Sequence, residues 1–221
     1  MNHTEVLTEY IGERSNAGSN NRSYNMNFGL VMKRVFDVVF ALLGLCIFLL
    51  PCLVIALFVW AEDKQSPIFR QERIGFKGKP YMLYKFRSMR ADAEKDGTPE
   101  LYSDNDTRLT KVGAFLRSHH LDELPQLWNV LKGDMSFVGH RPERKYFIDK
   151  ISEHSNEYPR LYALRPGLFS YATLYNGYTD TMEKMLTRLK MDIEYLENRS
   201  LLMDLTIITK TTLSIISGKK F

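Results

Sequence analysis

Twenty-four consecutive residues, Val38 to Ala61, carry no charged side chain, and no other stretch restricts the fold of this chain as strongly. As a straight α-helix they would measure about 36 Å against a hydrocarbon core of roughly 30 Å, so length alone reads as a spanning helix. Two features argue otherwise. Pro51 divides the run into unequal arms, neither long enough to cross alone, and an interior proline deletes a helical hydrogen bond and kinks the axis. Positive charge flanks both ends, with Lys33 and Arg34 before the run and Lys64, Arg70, Arg73, Lys77 and Lys79 after it. Both flanks therefore favour the cytoplasmic side. The expectation is a re-entrant membrane helix over residues 31–62, with Pro51 at the break; a buried core helix is the weaker reading.

Residues 1–30 are polar, rich in Asn and Ser and without an apolar run, which reads as a flexible tail and not as an export signal. The remainder, 63–221, has the size of one catalytic domain. A chain of 221 residues with 44% hydrophobic side chains can bury one core. The net charge of +4 suits an anionic small molecule or lipid phosphate; without a basic stripe or a nucleic-acid motif it gives no reason to expect nucleic acid. Both cysteines, Cys46 and Cys52, lie inside the apolar run, where a disulfide is not expected. No Cys or His spacing suits a metal. The consecutive His119 and His120 diverge and read as surface or packing residues.

Ser66 to Met89 reads as a β-hairpin, with Ile68, Phe69, Tyr81, Leu83 and Phe86 on either side of a glycine-bearing loop from Gly75 to Pro80. Lys85 and Arg87 are two apart on the second strand and point the same way, giving either a paired cationic face or a solvated one. Ala91 to Lys111 is polar and reads as loop and short helix. Near the C-terminus Met182, Met185, Leu186, Leu189, Ile193 and Leu196 form a helical stripe suited to core packing. A second helix from about Leu201 carries Leu202, Leu205, Ile208 and Ile215, with Lys210 on it and Lys219 and Lys220 at its end. It could lie flat on a membrane interface or pack on the domain. The fold class is thus α+β, mostly helical with a small β-hairpin, an N-terminal re-entrant helix and amphipathic interfacial helices.

The segment Leu121 to Glu143 holds the chemistry. Leu124, Leu127, Trp128 and Leu131 share one helical face and Gly133 is a helix stop, so the helix is expected to begin near Asp122. With Asp122 as N-cap, Pro125 falls in the first turn, where its missing N–H costs nothing. Free N–H groups at such a start favour a phosphate oxygen or a carboxylate. Asp122 and Glu123 point about 100° apart on a helix, so they cannot form one flat chelating face and are expected to take separate roles. Asp122 could be a cap alone. Arg117 lies one turn before the pair, however, and Arg141, Arg144 and Lys145 follow the Gly139-His140-Arg141-Pro142 turn.

These residues resemble the bacterial sugar transferases, the monotopic superfamily of polyprenyl-phosphate phosphoglycosyl transferases. The resemblance runs in order through Lys33-Arg34-Val35-Phe36-Asp37, Lys85-Phe86-Arg87-Ser88-Met89, the Asp122-Glu123 block, Arg165-Pro166-Gly167 and the C-terminal helices, covering nearly everything after the first thirty residues. It implies a helix that enters and leaves the membrane on one face around a proline break. It also implies that Asp122 is the nucleophile that takes the phosphosugar and releases UMP, while Glu123 serves as metal ligand or base. Lys85, Arg87, Arg117, Arg141, Arg165 and Arg108 would contact phosphate, for which bidentate guanidinium groups are suited. Three positions depart from the family pattern: Leu50 before Pro51, where serine is common; His140, where relatives carry the first proline of Pro-Arg-Pro; and Leu168-Phe169-Ser170-Tyr171 in place of Ile-Thr-Gly-Trp.

The implied activity is transfer of a sugar-1-phosphate from a UDP-sugar to undecaprenyl phosphate at the cytoplasmic face of the bacterial inner membrane, initiating a surface polysaccharide or glycoconjugate. Mg2+ fits this chemistry, because it binds through one or two carboxylates plus substrate phosphates, and Asp122 and Glu123 offer those. A carboxylate that attacks phosphorus divides one difficult transfer into two steps. The competing reading is a non-catalytic membrane-surface module that binds anionic lipid or a partner protein; it leaves the acid pair unexplained. A glycosidase needs two acids across a cleft, which adjacent residues do not supply. The sugar, the polymer and assembly as a homodimer stay open.

Overall fold

The computed structural model describes residues 20–93, 106–177 and 179–217. Its first element is one long helix, α1 (Asn20–Asp63), whose helical run continues through Pro51. The run starts before residue 31, so residues 20–30 extend the helix instead of belonging to a tail; residues 1–19 lie outside the described residues. Extension is inexpensive once a helix exists, because nucleation carries the cost, and no proline intervenes before Gly29. Many of its large side chains are exposed, among them Phe40, Leu43, Ile47, Leu49, Leu50, Leu53, Leu57 and Phe58. Such a surface is stable only against something as apolar as itself.

A narrow stripe of α1 faces the domain on both sides of Pro51. On the N-terminal side, Arg34 donates to the carbonyls of Val130 (2.7 Å) and Leu131 (2.8 Å), and Asp37 accepts from Ser136 Oγ (3.1 Å) and the Phe137 N–H (2.9 Å). Ala41 is fully buried against Val130. On the C-terminal side, Val59 packs with Phe86 and Leu116, and the Glu62 carboxylate accepts from the N–H groups of Lys111 (2.8 Å) and Val112 (3.0 Å). Those last contacts satisfy two N–H groups at the start of α2 (Lys111–Ser118), which would otherwise lack helical partners.

After α1 the expected hairpin forms: β1 (Ile68–Ile74) pairs antiparallel with β2 (Pro80–Phe86), with Phe69 opposite Lys85. A second, two-stranded parallel sheet joins β3 (Ser136–Val138) to β4 (Gly167–Phe169). Between the sheets lies α3 (Gln126–Lys132), stopped by Gly133 in the left-handed region (φ 93°). The chain continues as α4 (Lys145–Ser152), a 3-10 stretch (Tyr158–Ala163), α5 (Tyr171–Asn176), α6 (Met182–Asn198) and α7 (Leu201–Ile216). The α6 stripe packs as expected: Met185, Leu189 and Ile193 join Phe147, Ile148, Ile151, Tyr158, Leu161 and Tyr162 in one core cluster. The fold is thus mostly helical, with a small hairpin as read from the sequence and a second short sheet.

Helix α7 is apolar on more than one face. Ile207 is buried while Leu201, Leu202, Leu205 and Leu213 are exposed. Asp204 anchors it to α1 and α6, accepting from Lys33 Nζ (2.5 Å) and Tyr195 Oη (2.5 Å). Lys219 and Lys220 lie outside the described residues. Exposed apolar side chains of α1 and α7 thus belong to helices tied together through a buried carboxylate.

Candidate active site

The acid pair does not open the helix. Leu121–Glu123 is a 3-10 turn, preceded by His120 in the left-handed region (φ 54°), and α3 begins only at Gln126. The Leu121 carbonyl, to which Pro125 has no hydrogen to donate, accepts from the Leu124 N–H (3.3 Å) in the tighter i→i+3 pattern. Asp122 is therefore not an N-cap. It is 5% exposed. Trp128, assigned by periodicity to the buried face, is 51% exposed; the buried positions of α3 are Gln126, Leu127, Asn129 and Val130.

Asn129, which the sequence reading passed over, holds the turn against the hairpin. It is fully buried; its Oδ1 accepts from the Tyr84 N–H (3.0 Å) and its Nδ2 donates to the Met82 carbonyl (2.7 Å) and to Asp134 (3.2 Å). The next residue along β2 is Lys85, whose charge is felt at Asp122 and Glu123. Burial lowers the Lys85 ammonium to about 8, with the Asp122 charge opposing that shift and Arg117 and Arg73 adding to it. Glu123 moves the other way: burial raises its pKa, Asp122 adds to the rise, and Arg141 opposes it.

Both carboxylates open into one cavity of about 1290 Å3. Lys85, Arg87, Arg117 and Arg141 line it with them, as do His119 and His120, which the sequence reads as surface or packing residues; His119 is exposed. Apolar side chains line it too, Phe36, Phe40, Leu43 and Ile47 of α1 and Leu205, Ile208 and Ile215 of α7, beside Lys33, Asp37 and Asp204 of the same helices. One continuous space is thus lined both by cations and carboxylates and by apolar side chains of α1 and α7. Arg73 also lines it; with Phe69 and Gln71 it follows the two-residue period of β1, a signal the sequence contained but its flanking-charge reading obscured.

Two predicted phosphate contacts are placed elsewhere. Arg165 does not line the cavity; its Nε donates to the Gly133 carbonyl (2.8 Å) and its guanidinium lies over the Phe76 ring at 5.1 Å. Arg108 is likewise off the cavity wall, paired with Asp106 through Nε (2.8 Å) and Nη2 (2.6 Å). The Arg165-Pro166-Gly167 segment acts through its backbone: Ser136 N–H donates to Pro166 O (2.9 Å) and Gly167 N–H to His140 O (2.9 Å). A Cβ on Gly167 would sit 2.1 Å from the Gly139 nitrogen, so only glycine lets the two loops touch.

Among the described residues, no cluster of three or more His, Cys, Asp or Glu side chains is assembled for a metal. Two carboxylates lining a cavity with Lys85, Arg87, Arg117 and Arg141 nevertheless fit an ion that completes its shell from substrate phosphates and water.

Comparison with known proteins agrees with this geometry. The family model described as bacterial sugar transferase matches residues 28–218. The chain is 40% identical over 188 residues to the UDP-glucose:undecaprenyl-phosphate glucose-1-phosphate transferase of Caulobacter vibrioides, covering 84% of this chain and 70% of that protein. It is 41% identical over 184 residues to a protein of the same description from Klebsiella pneumoniae, covering 82% of this chain and 39% of the relative. It is 34% identical over 187 residues to the UDP-N-acetylgalactosamine-undecaprenyl-phosphate N-acetylgalactosaminephosphotransferase of Aeromonas hydrophila, covering 85% of this chain and 44% of the relative. The chain spans less than half the length of the latter two. With its motifs, its cavity and a match across residues 28–218, the chain belongs to the bacterial sugar transferase family.

Proposed function

We propose that the protein transfers a sugar-1-phosphate from a UDP-sugar to undecaprenyl phosphate, releasing UMP, through a covalent aspartyl intermediate. The observation that carries this reading is the single cavity lined by the buried Asp122, its cationic neighbours and apolar side chains of α1 and α7. A charged nucleotide sugar and a lipid phosphate need both kinds of lining in one space.

In the first step an Asp122 carboxylate oxygen attacks the phosphorus that bears the sugar. The bond to the bridging oxygen breaks and UMP departs with its electron pair, leaving an acyl phosphate. In the second, a phosphate oxygen of the acceptor attacks that phosphorus; the bond between phosphorus and the Asp122 oxygen breaks, its electron pair stays on that oxygen, and Asp122 is regenerated as a carboxylate. Lys85, Arg87, Arg117 and Arg141 offset the charge that accumulates in both steps, where a partly dehydrated site makes each cation more effective than in water. Asp122 and Glu123 would also hold a magnesium ion with donor phosphate oxygens and water, which supplies further charge neutralisation. The raised pKa of Glu123 suits a group that shares its site with a second acid.

The exposed apolar side chains of α1 and α7 support attachment to a bilayer. Contacts from α1 to the same domain before and after Pro51 favour entry and exit on one face, the cytoplasmic face of the inner membrane. Asp122→Asn keeps the side chain's size but removes the nucleophile. It abolishes UMP release from detergent-solubilised protein; full activity removes the assignment. Salt-sensitive vesicle binding without turnover of any UDP-sugar would favour a non-catalytic membrane module instead.

A further inference from the structure

Beside Arg141, on the wall of the same cavity, Glu143 and Arg188 belong to one buried chain of charges that the sequence presents as scattered. Glu143, 7% exposed, accepts from Arg188 Nη2 and lies 3.5 Å from Arg73 Nη1. Arg188, 6% exposed, also donates to Thr179, and Arg73 donates to the Pro142 carbonyl (3.1 Å). One turn along α6 from Arg188, the buried Asp192 accepts from Ser170 Oγ (3.1 Å) and from the backbone N–H of Arg141 itself. Strand β1, the cap of α5 and helix α6 therefore all converge on residues 141–143.

Buried ion pairs seldom stabilise a fold more than apolar side chains of the same size would; where they are kept, fixing one geometry is the better-attested use. The loop has a reason to need fixing, because histidine at position 140 leaves φ free where a proline would set it. A second observation lies at the same place. Tyr158 Oη is buried without a hydrogen-bond partner, and it borders a cavity of about 10 Å3 shared with Arg141, Glu143, Arg188 and Asp192. That space suits one water molecule.

We propose that Glu143, Arg188 and Asp192, completed by one water bound to Tyr158, are positioning residues that hold the Arg141 loop so that its guanidinium meets the phosphates of the donor. The proposal rests on the reading of Arg141 as a donor contact. Glu143 and Arg188 act through Arg141, so their effect vanishes when Arg141 is removed.

A double-mutant cycle on the full chain in detergent tests this, reading UMP release and, in parallel, UDP binding by calorimetry. Glu143→Gln raises the donor KM about tenfold and leaves kcat within about twofold, and adds nothing in an Arg141→Ala background. Tyr158→Phe, which breaks no hydrogen bond to protein, raises KM about threefold and is likewise silent in that background. Equal losses in both backgrounds, or an unchanged KM for both variants, overturn the positioning role. Wild-type protein that binds UDP and follows the cycle in binding, yet turns over no UDP-sugar, sinks the transferase reading and keeps the positioning one. With neither turnover nor UDP binding, both fall.

Discussion

If Lys85 grips donor phosphate as proposed, donor binding is expected to weaken at mildly alkaline pH. Burial brings its ammonium down to about 8, against the pull of Asp122. In free enzyme the charged fraction is then about one half at pH 8 and about one tenth at pH 9, a tenfold loss per further unit. If the charged form alone grips donor phosphate, kcat/KM for the UDP-sugar falls along the same line, since that parameter reports groups of the free enzyme. Bound phosphate favours the ammonium, so kcat falls at higher pH than kcat/KM does. The assay is UMP release at subsaturating UDP-sugar between pH 6.5 and 9.5. Lys85→Arg supplies the control, because a guanidinium keeps its charge throughout. It moves the alkaline limb out of range, even if its longer fork lowers the plateau. An unchanged limb near pH 8 in Lys85→Arg refutes the reasoning.

Three further outcomes follow from the geometry. His140 is buried and held near 4, below its unfolded value of 6.5, so its contribution to stability is full above pH 6.5 and is lost as pH falls through 4. Urea unfolding should show about 3 kcal/mol of acid destabilisation from this group, absent in His140→Phe. Asn129→Leu leaves the Tyr84 N–H and the Met82 carbonyl without the partners they have in Asn129; it should cost about 2–4 kcal/mol, seen as a lower Tm, and weaken donor binding by loosening Lys85. Chelation with EDTA abolishes UMP release and added magnesium restores it, whereas full activity in EDTA removes the ion from the account.

What the sequence made legible were features set by long or repeated patterns. The uncharged run of α1, the hairpin around Gly75 to Pro80 and the α6 stripe each repeat one physical preference over many residues. The acid pair and its cationic neighbours were legible because several residue types fell in one order. The fine structure of the site was not. A 3-10 turn stands where the sequence predicts a helix start at Asp122, and strands as short as Ser136–Val138 and Gly167–Phe169 carry no periodicity. Glu143, Arg188 and Asp192 are charged residues that a linear reading assigns to solvent; only tertiary contact shows them buried together. Arg165 reads as a phosphate contact from its motif; that its Nε also donates to the Gly133 carbonyl, 32 residues away, is a tertiary contact with no local pattern. Asn129 is not marked by any local motif, since its partners in the hairpin are 45 and 47 residues away.

The decisive measurement is the intact mass of the full chain, rapidly quenched after mixing with a UDP-sugar in the absence of acceptor. The account predicts a shift equal to one phosphosugar, mapped to the peptide containing Asp122, absent in Asp122→Asn and discharged when undecaprenyl phosphate is added. An unmodified polypeptide at every time point, while lipid-linked product forms in a parallel reaction with acceptor, would contradict it.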